Sequence, residues 1–494
     1  MIVRDEQERI ARCLAAAKPF VDEIVVVDTG SRDDTVAIAR SFGARIVNFP
    51  WCDDFAAARN ASIDAASGDW LLFLDADEVL SKGAGTELRR MLQRKRTLGA
   101  YIPLRDEGDG APKIITLLFR AVRRRKDIRW RYRLHEQLLP DAIRIAKAEG
   151  LVFETLSGEI RHDGYCTAVM ESKGKRARND RIFEAQLADT PEDPYVLYKF
   201  GDSLRSNEAT FPRAMELLQR SLTTLKQLPS ADCHELTFAG EVCALLALGQ
   251  LRCGNSVGAA ATLDFGERNC RQTGHLAYAR GQQCLSVNDA AAALQAFRAC
   301  ATHKNKAMLI PATARVSGLL AKVGEARALI MLGRAPEALV RAREALAADA
   351  TDPDAMRAAA DAALAQGDLR TAVSFAMDAL AKNPDNGDAW LCGALVLFRA
   401  KLFSKSVDWC NRAATLLADK ASAAALLGEC WLHLQRTDAA REAFALCPTD
   451  PRCVAGLAVV EELEGSSVLT LLQHVAAAER QRMMDNLRSV SATV

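Results

Sequence analysis

Ala338, Ala372 and Ala440 stand at multiples of 34 residues from one another, and Ser406 fills the slot between the last two. Ala345, Ala379 and Ala413 repeat the step, and Cys447 continues it. Gly333 and Gly367 keep it too, each where a turn between two helices is expected, while Trp390 and Pro384 take an aromatic and a helix-ending position. Small residues let paired helices approach closely, and glycine permits a turn that other residues resist. Such a period restricts this part of the chain to stacked helix–turn–helix units that bury one continuous core.

A 34-residue step is that of tetratricopeptide (TPR) repeats. The expected array covers residues 319–494, with capping helices at its C-terminal end. From 189 to 318 the helical pattern persists in poorer register, and Ala214–Leu222, Gly258–Leu263 and Ala291–Ala299 read as second helices of degenerate repeats. The concave groove of such an array commonly holds a peptide or another protein.

Residues 1–188 follow a different grammar. Ile24–Val27 reads as a buried strand, Thr35–Phe42 as a helix stopped by Gly43, and Ala44–Phe49 as a second strand. Phe55–Ala66 is a helix and Trp70–Leu74 a third strand. This alternation predicts a parallel sheet covered by helices, with ligands at the strand C-terminal ends. A GxGxxG turn is absent after the first strand, which disfavours a dinucleotide oxidoreductase.

The third strand runs into Asp75-Ala76-Asp77-Glu78. Two carboxylates at a strand mouth suit Mg2+ or Mn2+, whose remaining ligands come from substrate phosphates. A solvated turn, or capping of a helix near Glu78, is the plainer alternative. An EF-hand is excluded, because Leu80 and Thr86 stand where that loop needs glycine and glutamate.

Three linked blocks narrow the choice. Val26-Val27-Asp28-Thr29-Gly30-Ser31-Arg32-Asp33-Asp34-Thr35, Trp51-Cys52-Asp53-Asp54-Phe55-Ala56-Ala57-Ala58-Arg59-Asn60 and Leu74-Asp75-Ala76-Asp77-Glu78 together resemble the family 2 glycosyltransferases of GT-A fold. The closest pattern is a bacterial branch in which this domain precedes TPR repeats, and which includes peptide S-glycosyltransferases that modify bacteriocins. The resemblance implies that Asp28 contacts the nucleoside base, that Asp75 and Asp77 bind the metal and diphosphate, and that Arg59 contacts the donor or forms a structural salt bridge. Arg133-Leu134-His135-Glu136-Gln137 is similar to the acceptor-side block, with Glu136 as the implied base and His135 its competitor. Ile160-Arg161-His162-Asp163-Gly164-Tyr165 resembles the late histidine block, making His162 an implied metal ligand. Members of this branch carry a longer first strand than the segment around Met1-Ile2-Val3, so a short first strand is expected.

The resemblance thus implies an inverting transferase that takes a nucleotide sugar, a UDP-sugar being the expected donor, to a peptide or protein. The repeats would bind acceptor or form a homodimer. A glycan or lipopolysaccharide acceptor, and a TPR scaffold with an inactive transferase domain, are the competing readings. The formal net charge of +1 argues against a nucleic-acid partner. The basic run Arg120–Arg133 accordingly reads first as a solvated loop, and second as a phosphate contact. The 14 cysteines are scattered without a CxxC pair, which suits buried reduced thiols. With neither a signal-like start nor an apolar run near ~20 residues, the expected location is the cytoplasm.

Overall fold

The computed structural model describes residues 1–106, 115–162, 173–302 and 315–463. The capping helices expected beyond residue 463 and the end of the late histidine block, residues 163–165, lie outside them. The chain divides into two compact units, Met1–Gln283 with Thr302–Ser317, and Cys284–Ala301 with Gly318–Val494. Among the described residues no helix is long and apolar enough to cross a membrane.

In the first unit, β1 (Ile2–Val3), β2 (Val25–Asp28) and β3 (Arg45–Asn48) form a parallel sheet in that order. Val26 and Val27 are fully buried, as β-branched residues in a covered parallel strand should be. Helix α1 (Ile10–Ala17) turns Ile10, Cys13, Leu14 and Ala17 to the core. Helix α2 (Thr35–Ser41) ends before Gly43, whose φ of 83° is the left-handed turn expected of a stop. Helix α3 (Phe55–Ala65) starts at Asp54, whose carboxylate accepts the Ala57 N–H at 2.8 Å.

One strand expectation is corrected. The third strand, β4 (Trp70–Leu72), does not extend the parallel sheet but pairs antiparallel with another strand. β5 (Glu78–Leu80), β6 (Thr97–Asp106), β7 (Ile115–Arg123), β8 (Val152–Thr155) and β9 (Ile160–His162) complete a second sheet with it. Its order is β4-β7-β6-β9-β5, with β8 on β6. The reason is the available edge. β1 offers two residues, whereas β7 offers nine, and its ladder continues to Phe73, whose N–H donates to the Arg120 carbonyl at 2.9 Å. Glu78 therefore opens a strand and caps no helix. The unit also contains α4 (Lys82–Met91), α5 (Leu139–Glu149), α6 (Lys173–Asp189) and α7 (Pro194–Leu204).

The degenerate second helices fall within Phe211–Leu225, Ser256–Asn269 and Ala290–Ala301. In the second unit the repeat is visible in both packing and backbone. Ala338, Ala372, Ser406 and Ala440 are all fully buried. Gly333 and Gly367 have φ of 72° and 76°, and the positions one and two repeats further on, Lys401 and Gln435, keep φ of 59° and 57° without glycine. The turn geometry outlasts the residue that favours it. Of the described cysteines only Cys52 and Cys253 are exposed, and none is disulfide-bonded.

Candidate functional site

The C-terminal end of β2 is a pair of interlocked loops. Asp28 is buried, and its carboxylate accepts the N–H groups of Gly30 at 3.3 Å and Ser31 at 3.1 Å. From the facing loop, Asp5 Oδ1 accepts the Arg32 N–H at 2.7 Å, and the Glu6 N–H donates to Thr35 Oγ1 at 2.7 Å. Asp28 thus holds the shape of the first block, apart from the charged cleft described next.

Asp75 follows β4 by three residues, and arginines meet both of its oxygens. Arg59 Nη2 donates to Oδ1 at 2.9 Å and Arg120 Nη2 to Oδ2 at 3.0 Å. Desolvation alone would raise the Asp75 pKa, but the two guanidiniums override it and hold the carboxyl well below the usual range. Arg120 also pairs with Glu78, which is buried and whose Oε2 accepts the Asp75 N–H at 3.0 Å. Burial raises the Glu78 pKa despite Arg120, so of the two acids Asp75 is the firmer anion.

Arg59 is bound from three sides. Besides Asp75, its Nε donates to Glu136 Oε1 at 2.5 Å, and its guanidinium lies 5.0 Å from the centre of the Trp130 ring. The next residue along α3, Asn60, donates to the Trp130 carbonyl and accepts its N–H, both at 3.0 Å. The second block therefore does local work: Asp54 starts the helix, Arg59 gathers the two acids, and Asn60 fixes the segment leading to the acceptor-side block.

That block is a tight loop closed by Arg131 and Gln137, each donating to the other's carbonyl at 2.9 Å. Tyr132 and His135 inside it have φ of 71° and 54°, a strained left-handed conformation. Helices α6 and α7 impose it. Gln186 accepts the Arg133 N–H at 2.8 Å, Asp189 pairs with the Arg133 guanidinium at 2.7 Å, and the Tyr195 hydroxyl donates to the His135 carbonyl at 3.1 Å. Burial, and then Lys199, lower the His135 pKa, so the ring is neutral at neutral pH.

These parts enclose a cleft of about 390 Å3 lined by Arg59, Asp75, Arg120, His135 and Glu136, with Tyr195 and Lys199 of α7 on its wall. Arg59 Nη1 and Arg120 Nε are buried there without a hydrogen-bond partner among the described residues, two donors suited to an anionic oxygen. Asp77 and His162 lie outside this lining but together: Asp77 Oδ2 is 3.2 Å from His162 Nε2, because β5 pairs with β9 in the register Glu78↔His162. Cis ligands of an octahedral ion, each ~2.1 Å from it, lie about 3 Å apart, so this pair fits two positions of a Mg2+ or Mn2+ shell. No group of three or more His, Cys, Asp or Glu placed to hold a metal ion is present among the described residues. Of the three residues the resemblance assigns to the ion, the structure joins Asp77 with His162 and gives Asp75 to the arginines.

Sequence reasoning missed Arg120 and Glu78. Arg120 belonged to a run read as a solvated loop, yet it is a buried residue of β7. Later members of the run are spent on ion pairs, Arg125 with Glu149, Arg129 with Asp64 and Arg131 with Asp141. Such internal neutralisation leaves little field for a nucleic acid.

The fold and the site define the class first: an α/β domain with an acidic strand end, followed by an all-α TPR-type array. Comparison then narrows it, since residues 1–144 match the family described as glycosyl transferase family 2. A TPR repeat-containing protein of Synechococcus elongatus is 40% identical over 240 residues, covering 48% of this chain and 59% of that protein. The SPbeta prophage-derived glycosyltransferase SunS of Bacillus subtilis is 28% identical over 232 residues, covering 46% and 53%. The chain thus spans a little over half the length of these curated relatives. A tetratricopeptide repeat protein from Parabacteroides merdae, of known crystal structure, is 12% identical and covers 53% of this chain and 98% of its own, with a TM-score of 0.38. The chain resembles family 2 glycosyltransferases joined to TPR repeats.

Proposed function

We propose that this chain is an inverting glycosyltransferase that moves a sugar from a nucleoside-diphosphate donor to a peptide or protein acceptor. One observation carries the reading: a single guanidinium, that of Arg59, holds the acidic turn at Asp75 and the acceptor-block carboxylate Glu136 in one cleft. In this reading Glu136 takes the acceptor proton as the nucleophile attacks the anomeric carbon. The bond from that carbon to the diphosphate oxygen breaks, and the nucleoside diphosphate leaves with the electron pair. One such displacement inverts the configuration. His135, neutral and on the same wall, is the second candidate for the proton.

Asp77 and His162 would hold Mn2+ or Mg2+, which supplies charge neutralisation to the leaving diphosphate. Arg59 and Arg120 add fixed positive charge beside it, oriented by Asp75 and Glu78. A polypeptide acceptor is favoured because helix α7, beyond the family match, shapes the acceptor-side loop and walls the cleft.

The test is hydrolysis of UDP-hexoses with and without Mn2+. Glu136→Gln should slow turnover by ~10²–10⁴-fold, and Asp77→Asn should lose its response to the ion. Wild-type turnover in both variants would end the assignment.

A further inference from the structure

Two buried cysteines of the first unit touch, and the transfer reading uses neither. Cys233 Sγ lies 3.7 Å from Cys270 Sγ, with 37 residues of chain between them. Cys233 is 1% exposed and Cys270 3%. Cys243, fully buried, is a third thiol of the same core cluster.

The two residues are held differently. Cys270 ends helix Ser256–Asn269, its N–H donating to the Gly266 carbonyl at 2.9 Å. Cys233 sits on the short helix Ser230–Glu235 and is its one buried residue; Ser230, Ala231, Asp232 and His234 are exposed. A helix of 6 residues is not stable in water by itself, so its seat depends on contacts. Besides the thiol contact these include an exposed ion pair of Lys147 with Glu235, and Arg271 Nε, which donates to the His234 carbonyl at 3.1 Å. The segment that follows, 236–238, puts Thr237 on the wall of the charged cleft. Phe238 there stacks on Tyr198 at 5.8 Å and meets Tyr195 edge-on at 5.2 Å.

We propose that Cys233 and Cys270 form a reversible dithiol–disulfide site, oxidised by a low-molecular-weight disulfide, that fastens helix Ser230–Glu235 and the Thr237 wall behind it. When the helix lifts, the Cys233 thiolate attacks one sulfur of glutathione disulfide and expels a glutathione thiolate. When it reseats, the Cys270 thiolate attacks the Cys233 sulfur of the mixed disulfide and expels the second. The chain loses two hydrogens as two electrons pass to glutathione, and the thiol protons go to the departing thiolates. Sulfurs at 3.7 Å need close by only about 1.7 Å to bond, a distance an exposed short helix can travel. Contact with Cys270, and then burial, raise the Cys233 pKa, so reaction waits for the helix to lift. Cys410 and Cys430 of the second unit also share a thiol hydrogen bond. Both are fully buried on the longer helices Phe403–Leu416 and Ala421–His433, and they stay reduced. The proposal does not depend on sugar transfer.

The experiment treats the full chain with glutathione disulfide, blocks the remaining thiols with N-ethylmaleimide in urea, and digests it with chymotrypsin, which cuts after Phe238 between Cys233 and Cys243. Mass spectrometry should find Cys233 joined to Cys270 and lighter by two hydrogens, with Cys243 carrying maleimide. Dithiothreitol should reverse the link. Oxidation should raise the melting temperature by about 4 °C or more. That shift should vanish in Cys233→Ser and Cys270→Ser and persist in Cys243→Ser; the map of the unaltered chain stands whether or not the variants fold. The proposal is overturned if Cys233 and Cys270 both carry maleimide once the exposed Cys52 and Cys253 have reacted with glutathione. It is equally overturned if the link runs through Cys243, if Cys410 joins Cys430 as readily, or if the link forms without a shift in melting temperature.

Discussion

Asp75 and Glu325 each face two arginines, and they end on opposite sides of their ordinary pKa. In the first unit Arg59 and Arg120 reach Asp75 at 2.9 and 3.0 Å, and its carboxyl is held well below the usual range. In the second, Arg341 and Arg298 stop 3.5 and 3.7 Å from Glu325, burial prevails, and its pKa is raised. A charge is stabilised by hydrogen bonds of proper length, and proximity without them leaves the desolvation cost in place. The first unit spends its interior on such bonds around a cleft. The second builds its core from small residues at a fixed step, and tolerates a poorly matched acid.

The comparison breaks most sharply at Arg120. Arg120→Met leaves the buried Glu78 without its cationic partner and Asp75 with Arg59 alone, and should cost roughly 3–5 kcal/mol in urea unfolding of the first unit. A loss below about 1 kcal/mol, the range of surface pairs, would show the network to be decorative. Next comes the packing side. Ala372 is fully buried at the repeat step, so Ala372→Leu should destabilise the second unit by about 1–3 kcal/mol.

Gln435→Gly tests the backbone at the same step. It relieves a left-handed residue costing about 1–2 kcal/mol and adds ~0.5–1 kcal/mol of chain entropy, so a net gain of up to about 1.5 kcal/mol is expected in thermal unfolding. The smallest effect is a pH dependence. Glu325 has a raised folded pKa, so its contribution to stability is most favourable below the unfolded value of about 4.3 and is lost as pH rises through the folded value. Glu325→Gln should therefore raise the urea midpoint at pH ~7.5 and lose that gain near pH ~4; an equal gain at both would remove the linkage.

Much of this was legible along the chain because the signals are local. Asp75 and Asp77 announce themselves as a strand end, and the alanines of the repeat recur at a countable interval. What escaped depends on partners without sequence spacing. Arg120 reaches Asp75 from 45 residues away across a strand pair, and its place in a basic run disguised it. The partner of β4 was equally hidden, since an apolar triplet does not say which neighbour it will choose. In the repeats, Lys401 and Gln435 erased the glycine that marks the turn while the backbone kept its course.

Asn60 pairs with the Trp130 backbone as a neighbouring strand would. Its side-chain amide offers one donor and one acceptor, as a peptide group does, and Trp130 is paired to it on both counts. Replacing that one amide by a carboxylate, as in Asn60→Asp, would remove the donor and set an anion against the Trp130 carbonyl. One side-chain amide thus carries the anchoring of the acceptor-side loop to α3, although no atom of Asn60 need touch a substrate.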